Sequence, residues 1–230
     1  MSGQEKEYGF LRANALSLAF GALFFVTLVG QAISGAADFN AQQVVNGLEP
    51  VSLFEYVTSS SFGVDVMENW QSEYLQFFLY IFVTIWFVQR GSSESKELHR
   101  IGTETDEEQK VGRHATPESP RWAKVGGWRT GLYSHSLCAV MGTVFLLSWL
   151  AQSIAGASAY NEQQLRQLQD PLPWAEYLVS ADFWNRTLQN WQSEFLAVAS
   201  MAVLAIYLRQ RGSPESKPVG APHSATGTEE

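Results

Sequence analysis

Two copies of Asn-Trp-Gln-Ser-Glu, at residues 69–73 and 190–194, each precede an apolar stretch and hold the side chains of this 230-residue sequence best suited to chemistry. Glu73 and Glu194 are carboxylates at the edge of sequence apolar enough to sit in hydrocarbon, where an ionisable group is costly and often serves an ion or proton path. Facing one another near one membrane surface, they would bind a cation or relay a proton. Trp70 and Trp191 carry the indole that marks a membrane–water boundary. Gln31 and Gln152, at the ends of the partner apolar stretches, would complete a polar cluster with them. The same residues also read as helix starts, with Asn69 or Asn190 as the cap and the Glu near the positive end of the dipole.

His135 and Cys138 lie three apart, on one face of a helix, as a metal pair would. No other histidine falls in an apolar stretch, which excludes haem held by two histidines within a membrane. His99, His114 and His223 belong to polar segments, and the His135/Cys138 pair reads as packing. A single cysteine excludes an internal disulfide and a multi-cysteine zinc site. Phosphate loops, nucleophile elbows, complete metal motifs and dinucleotide fingerprints are all missing. The sequence therefore predicts no catalytic residue, no cofactor and no metal, and an enzyme is the least expected class. A net charge of -8 with a pI near 5.0 argues against nucleic-acid binding, which needs a basic face.

The elements that must position these residues are four apolar blocks. A mean hydropathy of -0.09 describes an ordinary soluble protein, but the charged residues lie between the blocks rather than in them. Residues 13–33 and 132–155 are uncharged and long enough to cross roughly 30 Å of hydrocarbon at about 1.5 Å per residue. The other two blocks, extended from their tryptophans, give spans at about 70–89 and 191–209. In the first block Phe24, Phe25, Val26, Leu28 and Val29 cover every side of a helix, so no polar face remains for water. This lack of amphipathic periodicity, in a chain too small to wrap four buried helices, predicts membrane insertion.

The two halves of the chain match at an offset of 121 residues. Aligning 31–96 on 152–217 without a gap gives roughly 26 identities in 66 positions. The matches run from Gln31/Gln152 through Asn40/Asn161, Pro50/Pro171, Tyr56/Tyr177 and Trp70/Trp191 to Gly91/Gly212. An internal repeat of helix, loop, helix follows, and an even number of spans per copy inserts both copies the same way up. Of the 15 Lys and Arg, only Arg166 and Arg186 fall in the loops between paired spans, so the termini and the linker are expected in the cytoplasm. Arg90 before Gly91 and Arg211 before Gly212 read as helix ends, a cation followed by a residue that takes the left-handed cap. In the outer loops Glu49-Pro50 and Asp170-Pro171 predict capped short amphipathic helices.

The expected fold is thus an all-α integral membrane four-helix bundle of two tandem hairpins, N-in and C-in. Its parts are a cytoplasmic N-terminus (1–12), hairpin 1 (13–96, outer loop 34–69), a flexible cytoplasmic linker (97–130), hairpin 2 (131–217, outer loop 156–190) and a disordered tail (218–230). The linker and the tail are polar and dotted with Pro, Gly, Ser and Thr, and offer too little apolar area to order themselves.

Asn-Trp-Gln-Ser-Glu-Phe-Leu at 190–196, an apolar span, and Tyr-Leu-Arg-Gln-Arg-Gly-Ser-Pro-Glu-Ser-Lys at 207–217 are distinctive in combination. The chain resembles a family of bacterial multi-spanning membrane proteins known only as a domain of unknown function. The resemblance implies a bacterial cytoplasmic-membrane location and brings no catalytic residues with it. The expected role is a structural, interaction or accessory component of that membrane, whose partners are the lipid bilayer, further copies of the chain or another membrane protein. The alternative is a small oligomeric transporter or channel using Glu73 and Glu194.

Overall fold

The computed structural model describes residues 9–227, so Lys6 and most of the expected N-terminal segment 1–12, together with 228–230 of the tail, lie outside the described residues. The described residues are helices joined by turns, with no strand among them, and the chain is all-α. They divide into two compact units, Met1–Gly63 and Val64–Glu230.

The first unit holds α1 (Phe10–Ala13), α2 (Ala15–Val45), α3 (Leu53–Val57) and the start of α4 (Ser60–Val83). Helix α2 is long and apolar enough to cross a membrane. Two of its hydroxyls turn back on their own helix: Thr27 Oγ1 donates to the Leu23 carbonyl at 2.9 Å and Ser34 Oγ to that of Gly30 at 2.8 Å. Each of these two hydroxyls is thus satisfied within the helix. The helix ends where Gly47 takes φ +71°, with the Leu48 amide on the Gln43 carbonyl and the Gly47 amide on that of Val44. This is the double-bonded left-handed terminus that glycine favours. Asn40 then clamps the returning chain, accepting from the Val51 amide at 2.7 Å and donating to the Val51 carbonyl at 2.8 Å. Tyr56 is buried on Gly35, between Phe39 and Phe62 at ring distances of 5.5 and 5.4 Å.

The second unit continues α4 and adds α5 (Arg121–Val125), α6 (Gly127–Ser134), α7 (Ser136–Arg166), α8 (Trp174–Tyr177) and α9 (Ala181–Tyr207). Helix α7 also has membrane-spanning length and composition. Phe78 of α4 packs on Gly142 of α7, where a Cβ would lie 3.0 Å from the ring, so the missing side chain is what lets the helices approach. An aromatic cluster joins α7 to α9. Trp149 contacts Phe145, Phe183, Trp184 and Trp191, with ring centroids 5.6 to 6.1 Å apart. The motifs of the first unit recur 121 residues on. Asn161 clamps Leu172 through two bonds of 2.8 Å, and Tyr177 is buried on Gly156 between Tyr160 and Phe183. Leu168 stands where the first unit has Gly47, at φ +57°.

Several local expectations are corrected. Glu49 and Asp170 are not helix caps: α3 starts after Ser52, whose hydroxyl and Glu55 form a reciprocal capping box, and α8 starts after Pro173. Arg90 and Arg211 do not end helices. The Ile85 carbonyl is taken by the Gly102 amide, which stops the ladder of α4 early, and α9 ends at Tyr207 with Arg209 Nη1 on the Ala205, Ile206 and Leu208 carbonyls. The cation at the helix end is therefore Arg209. The linker contains α5 and the start of α6, and the turns of the linker and the tail are fastened by polar side chains in or beside them: Lys96 with Glu104 and Gly102, Thr105 with Glu108, and Lys217 with four carbonyls. A composition argument weighs apolar burial and is blind to such bonds.

Candidate functional site

The candidate site lies where the N-terminal parts of α4 and α9 meet α7 in the second unit. Each of the two helices begins well before its Asn-Trp-Gln-Ser-Glu. Ser59 Oγ accepts from the Phe62 amide at 3.3 Å, and Ser180 Oγ caps α9 by accepting from the Phe183 amide at 3.2 Å. Asn69 and Asn190 are therefore interior residues, their side-chain amides donating to the Asp65 and Arg186 carbonyls one turn back. Glu73 and Glu194 stand several turns beyond the helix starts, too far for the terminal dipole to act, which removes the helix-start reading of both.

Trp191, Glu194 and the neighbouring Gln71 and Ser72 come together. Trp191 Nε1 donates to Gln71 Oε1 at 2.7 Å, and Gln71 Nε2 donates to the Glu68 carbonyl at 3.1 Å. Both Gln71 and Ser72 are buried. Ser72 Oγ reaches the Asn69 carbonyl at 3.0 Å and Glu194 Oε1 at 3.4 Å. Glu194 is half-buried, while Glu73 is exposed. Trp70 is 37% exposed and stays at the surface. Gln152 is 1% exposed on α7, and its amide oxygen and nitrogen have no hydrogen-bond partner among the described residues. Gln31, its counterpart at the 121-residue offset, is half-buried on α2 in the first unit. His135 is exposed at the start of α7, and Cys138 Sγ faces the Phe78 carbonyl at 4.0 Å. Among the described residues no group of three or more His, Cys, Asp or Glu is placed to hold a metal ion.

Sequence reasoning missed a second charged centre one to two turns nearer the helix starts. Arg186 of α9 sits among three carboxylates, 3.2 Å from Glu68, 3.5 Å from Asp182 and 3.8 Å from Asp65. Tyr177 Oη donates to Asp182 at 3.0 Å and ties the buried tyrosine core to the same cluster. Burial raises the carboxyls of Asp65 and Glu68 above their usual range, with Arg186 pulling each back down. For Arg186, burial opposes the charge, but Glu68, Asp182 and Asp65 together outweigh it and raise its pKa. Tyr177 is raised by burial and then by the charge of Asp182. The arrangement neutralises part of a net-negative cluster and crosslinks α4 to α9. One signal pointed to it: Arg186 and Asp65 are equivalent at the 121-residue offset, and their charges are opposite.

The described residues thus define an all-α protein with two helices long and apolar enough to cross a membrane and a polar, carboxylate-bearing layer between α4 and α9. The family described as Domain of unknown function (DUF6766) matches residues 7–228, and the chain belongs to it. No curated protein and no solved structure matches the chain.

Proposed function

We propose that the chain is a multi-pass component of the bacterial cytoplasmic membrane, built as two tandem hairpins with both termini inside, and that its role is structural or accessory rather than catalytic. One observation carries this reading. None of the 18-residue apolar window of α2, and 17% of that of α7, is buried within the protein, so both helices offer apolar surface that water would not tolerate. Lipid, further copies of the chain or another membrane protein would cover it. The Arg186 cluster supports a structural role, since its one cation is engaged by carboxylates of both α4 and α9.

The test is thiol labelling of single-cysteine variants on a Cys138→Ser background in intact cells. An impermeant reagent is expected to label cysteines placed at 47 or 168 and to leave one at 110 untouched. Outer labelling at 110 refutes the topology. Reconstituted into nanodiscs at native lipid ratios, the chain is expected to run as a homo-oligomer or with a defined partner; a lone monomer with no partner in the membrane argues against an accessory role.

A second reading, a small oligomeric transporter or channel, is favoured by Glu194 beside Ser72 and by the buried amide of Gln152. Proteoliposome flux of cations or protons is its assay, with the Glu73→Gln/Glu194→Gln double variant as control. Flux no greater than that of empty liposomes removes it.

A further inference from the structure

We propose that residues 218–227 form a strap, latched by the buried ammonium of Lys217, that closes over the turn at residues 89–95 and fastens it to the end of α9. Lys217 is 2% exposed. Its Nζ donates to the Gly91 carbonyl on one side and, on the other, to those of Ala225, His223 and Pro222 at 2.9, 3.2 and 3.4 Å. An ammonium has three N–H donors, so four converging carbonyls satisfy it fully. No carboxylate pairs with it among the described residues; carbonyl dipoles alone hold the charge, and three of the four belong to the strap. Removing the strap would leave a cation facing one acceptor.

Other bonds close the same contact. The Gly91 amide donates to Thr226 Oγ1 at 2.8 Å and the Gly227 amide to the Ser92 carbonyl at 2.9 Å. Arg209 Nη2 donates to the Ala221 carbonyl at 3.0 Å, and His223 Nδ1 lies 3.0 Å from the Ile206 carbonyl at the end of α9. The chain also contains its own control. The turn at 210–216 has the same construction: Gly91 and Gly212 have φ of +87° and +86°, and the Gln89 and Gln210 amides donate to Ser95 and Ser216 at 2.8 and 2.9 Å. Yet a Cβ on Gly91 would lie 2.5 Å from the His223 backbone oxygen, while one on Gly212 meets nothing within 4 Å. Lys96, the counterpart of Lys217, pairs instead with Glu104 and the Gly102 carbonyl. The lysine and the glycine are thus shared by both turns, and the strap by one.

Hydrogen exchange read by mass spectrometry on the full chain in nanodiscs tests the strap. In the parent protein the amides of Ala221, Ala225 and Gly227, which donate to the Pro218, Pro222 and Ser92 carbonyls, are expected to be protected. Gly91→Ala and Lys217→Met should each speed their exchange roughly tenfold to a hundredfold, the factor for losing a hydrogen bond to a charged group. Gly212→Ala carries the same backbone strain and Lys96→Met loses the same charge, and both should leave the strap protected. Exchange within α7 and α9 reports whether each variant is folded. Equal effects of Gly91→Ala and Gly212→Ala, or unchanged strap protection in Lys217→Met, would overturn the proposal.

Discussion

Replacing Arg186 by glutamine tests whether the charged centre holds α4 to α9. The substitution keeps a polar side chain of similar reach and leaves Asp65, Glu68 and Asp182 without their shared cation. Exposed ion pairs contribute up to about 1 kcal/mol, while breaking a buried one costs about 3–5 kcal/mol. Arg186 is 39% exposed and Glu68 18%, which places this cluster between those limits. A loss of about 2 kcal/mol at neutral pH is therefore expected, lowering Tm by roughly 4–8 °C for a chain of this size. Tryptophan fluorescence is a direct reporter, because Trp149, Trp184 and Trp191 pack together beside the cluster.

The pH dependence separates electrostatics from simple loss of packing. Asp65 and Glu68 are raised by burial above ordinary values of 3.8 and 4.5. An acid whose pKa rises on folding holds its proton more tightly when folded. Its contribution to stability is complete below the unfolded pKa and is lost as the pH climbs through the folded one. Arg186 limits that loss, so Arg186→Gln should cost most above about pH 7 and little once the carboxyls are protonated, near pH 4. Adding Glu68→Gln should return part of the lost stability at neutral pH by removing the most deeply placed unpaired charge. A Tm deficit that is the same at both ends of this range, or one that Glu68→Gln deepens, refutes the reasoning.

Three further outcomes follow from local geometry. Asn161→Ala removes both bonds to Leu172 and should cost about 1–3 kcal/mol in thermal unfolding, with hydrogen exchange rising first in the 167–173 loop; Asn40→Ala should do the same for the loop after α2. Gly156→Ala sets a Cβ 2.5 Å from Tyr177 Oη and should destabilise, and the double variant with Tyr177→Phe should recover part of the Tm because the clashing hydroxyl is gone. Leu168 holds φ +57° while 94% exposed, so Leu168→Gly should raise stability by up to about 1 kcal/mol, and Gly47→Leu should lower it by a similar amount.

The long helices were legible because apolar runs without charge admit few other structures: α2 covers the predicted block 13–33 from Ala15 on, and α7 covers the block 132–155 from Ser136 on, its first residues falling in α6. Their extension beyond the apolar part was not legible: polar stretches such as residues 34–45 and 156–166 continue the helices with nothing in their hydropathy to announce it. Helix starts were misplaced because Asn69 and Asn190 are good capping types, whereas the caps sit at Ser59 and Ser180, ten residues earlier and also matched at the 121-residue offset. Of the predicted site, Trp191 and Glu194 found buried polar partners and Gln152 found burial, while Glu73 and Trp70 remain at the surface. The Arg186 cluster escaped notice because its members, at 65, 68, 182 and 186, come from both halves of the chain and form no motif in either.

Where the halves agree in sequence, the shared residues do the same local work: the asparagine clamps, the tyrosines on glycine, the serine caps and the turns with a left-handed glycine. Where they differ, several of the differing residues add contacts between α4, α7 and α9 to the shared Trp191–Gln71 and Glu194–Ser72 pairs. Asp65 faces Arg186, and Trp184, which replaces Gly63, packs edge-on against Trp149. Thr187, which replaces Val66, accepts from the Trp149 indole at 3.4 Å. A homodimer of one hairpin would set each residue near the axis against its own copy, so a charge there would meet its like. Two related halves in one chain escape that restriction. One copy of a position can become acidic and the other basic, as Asp65 and Arg186 are, which lets α4 and α9 attract where like charges would repel.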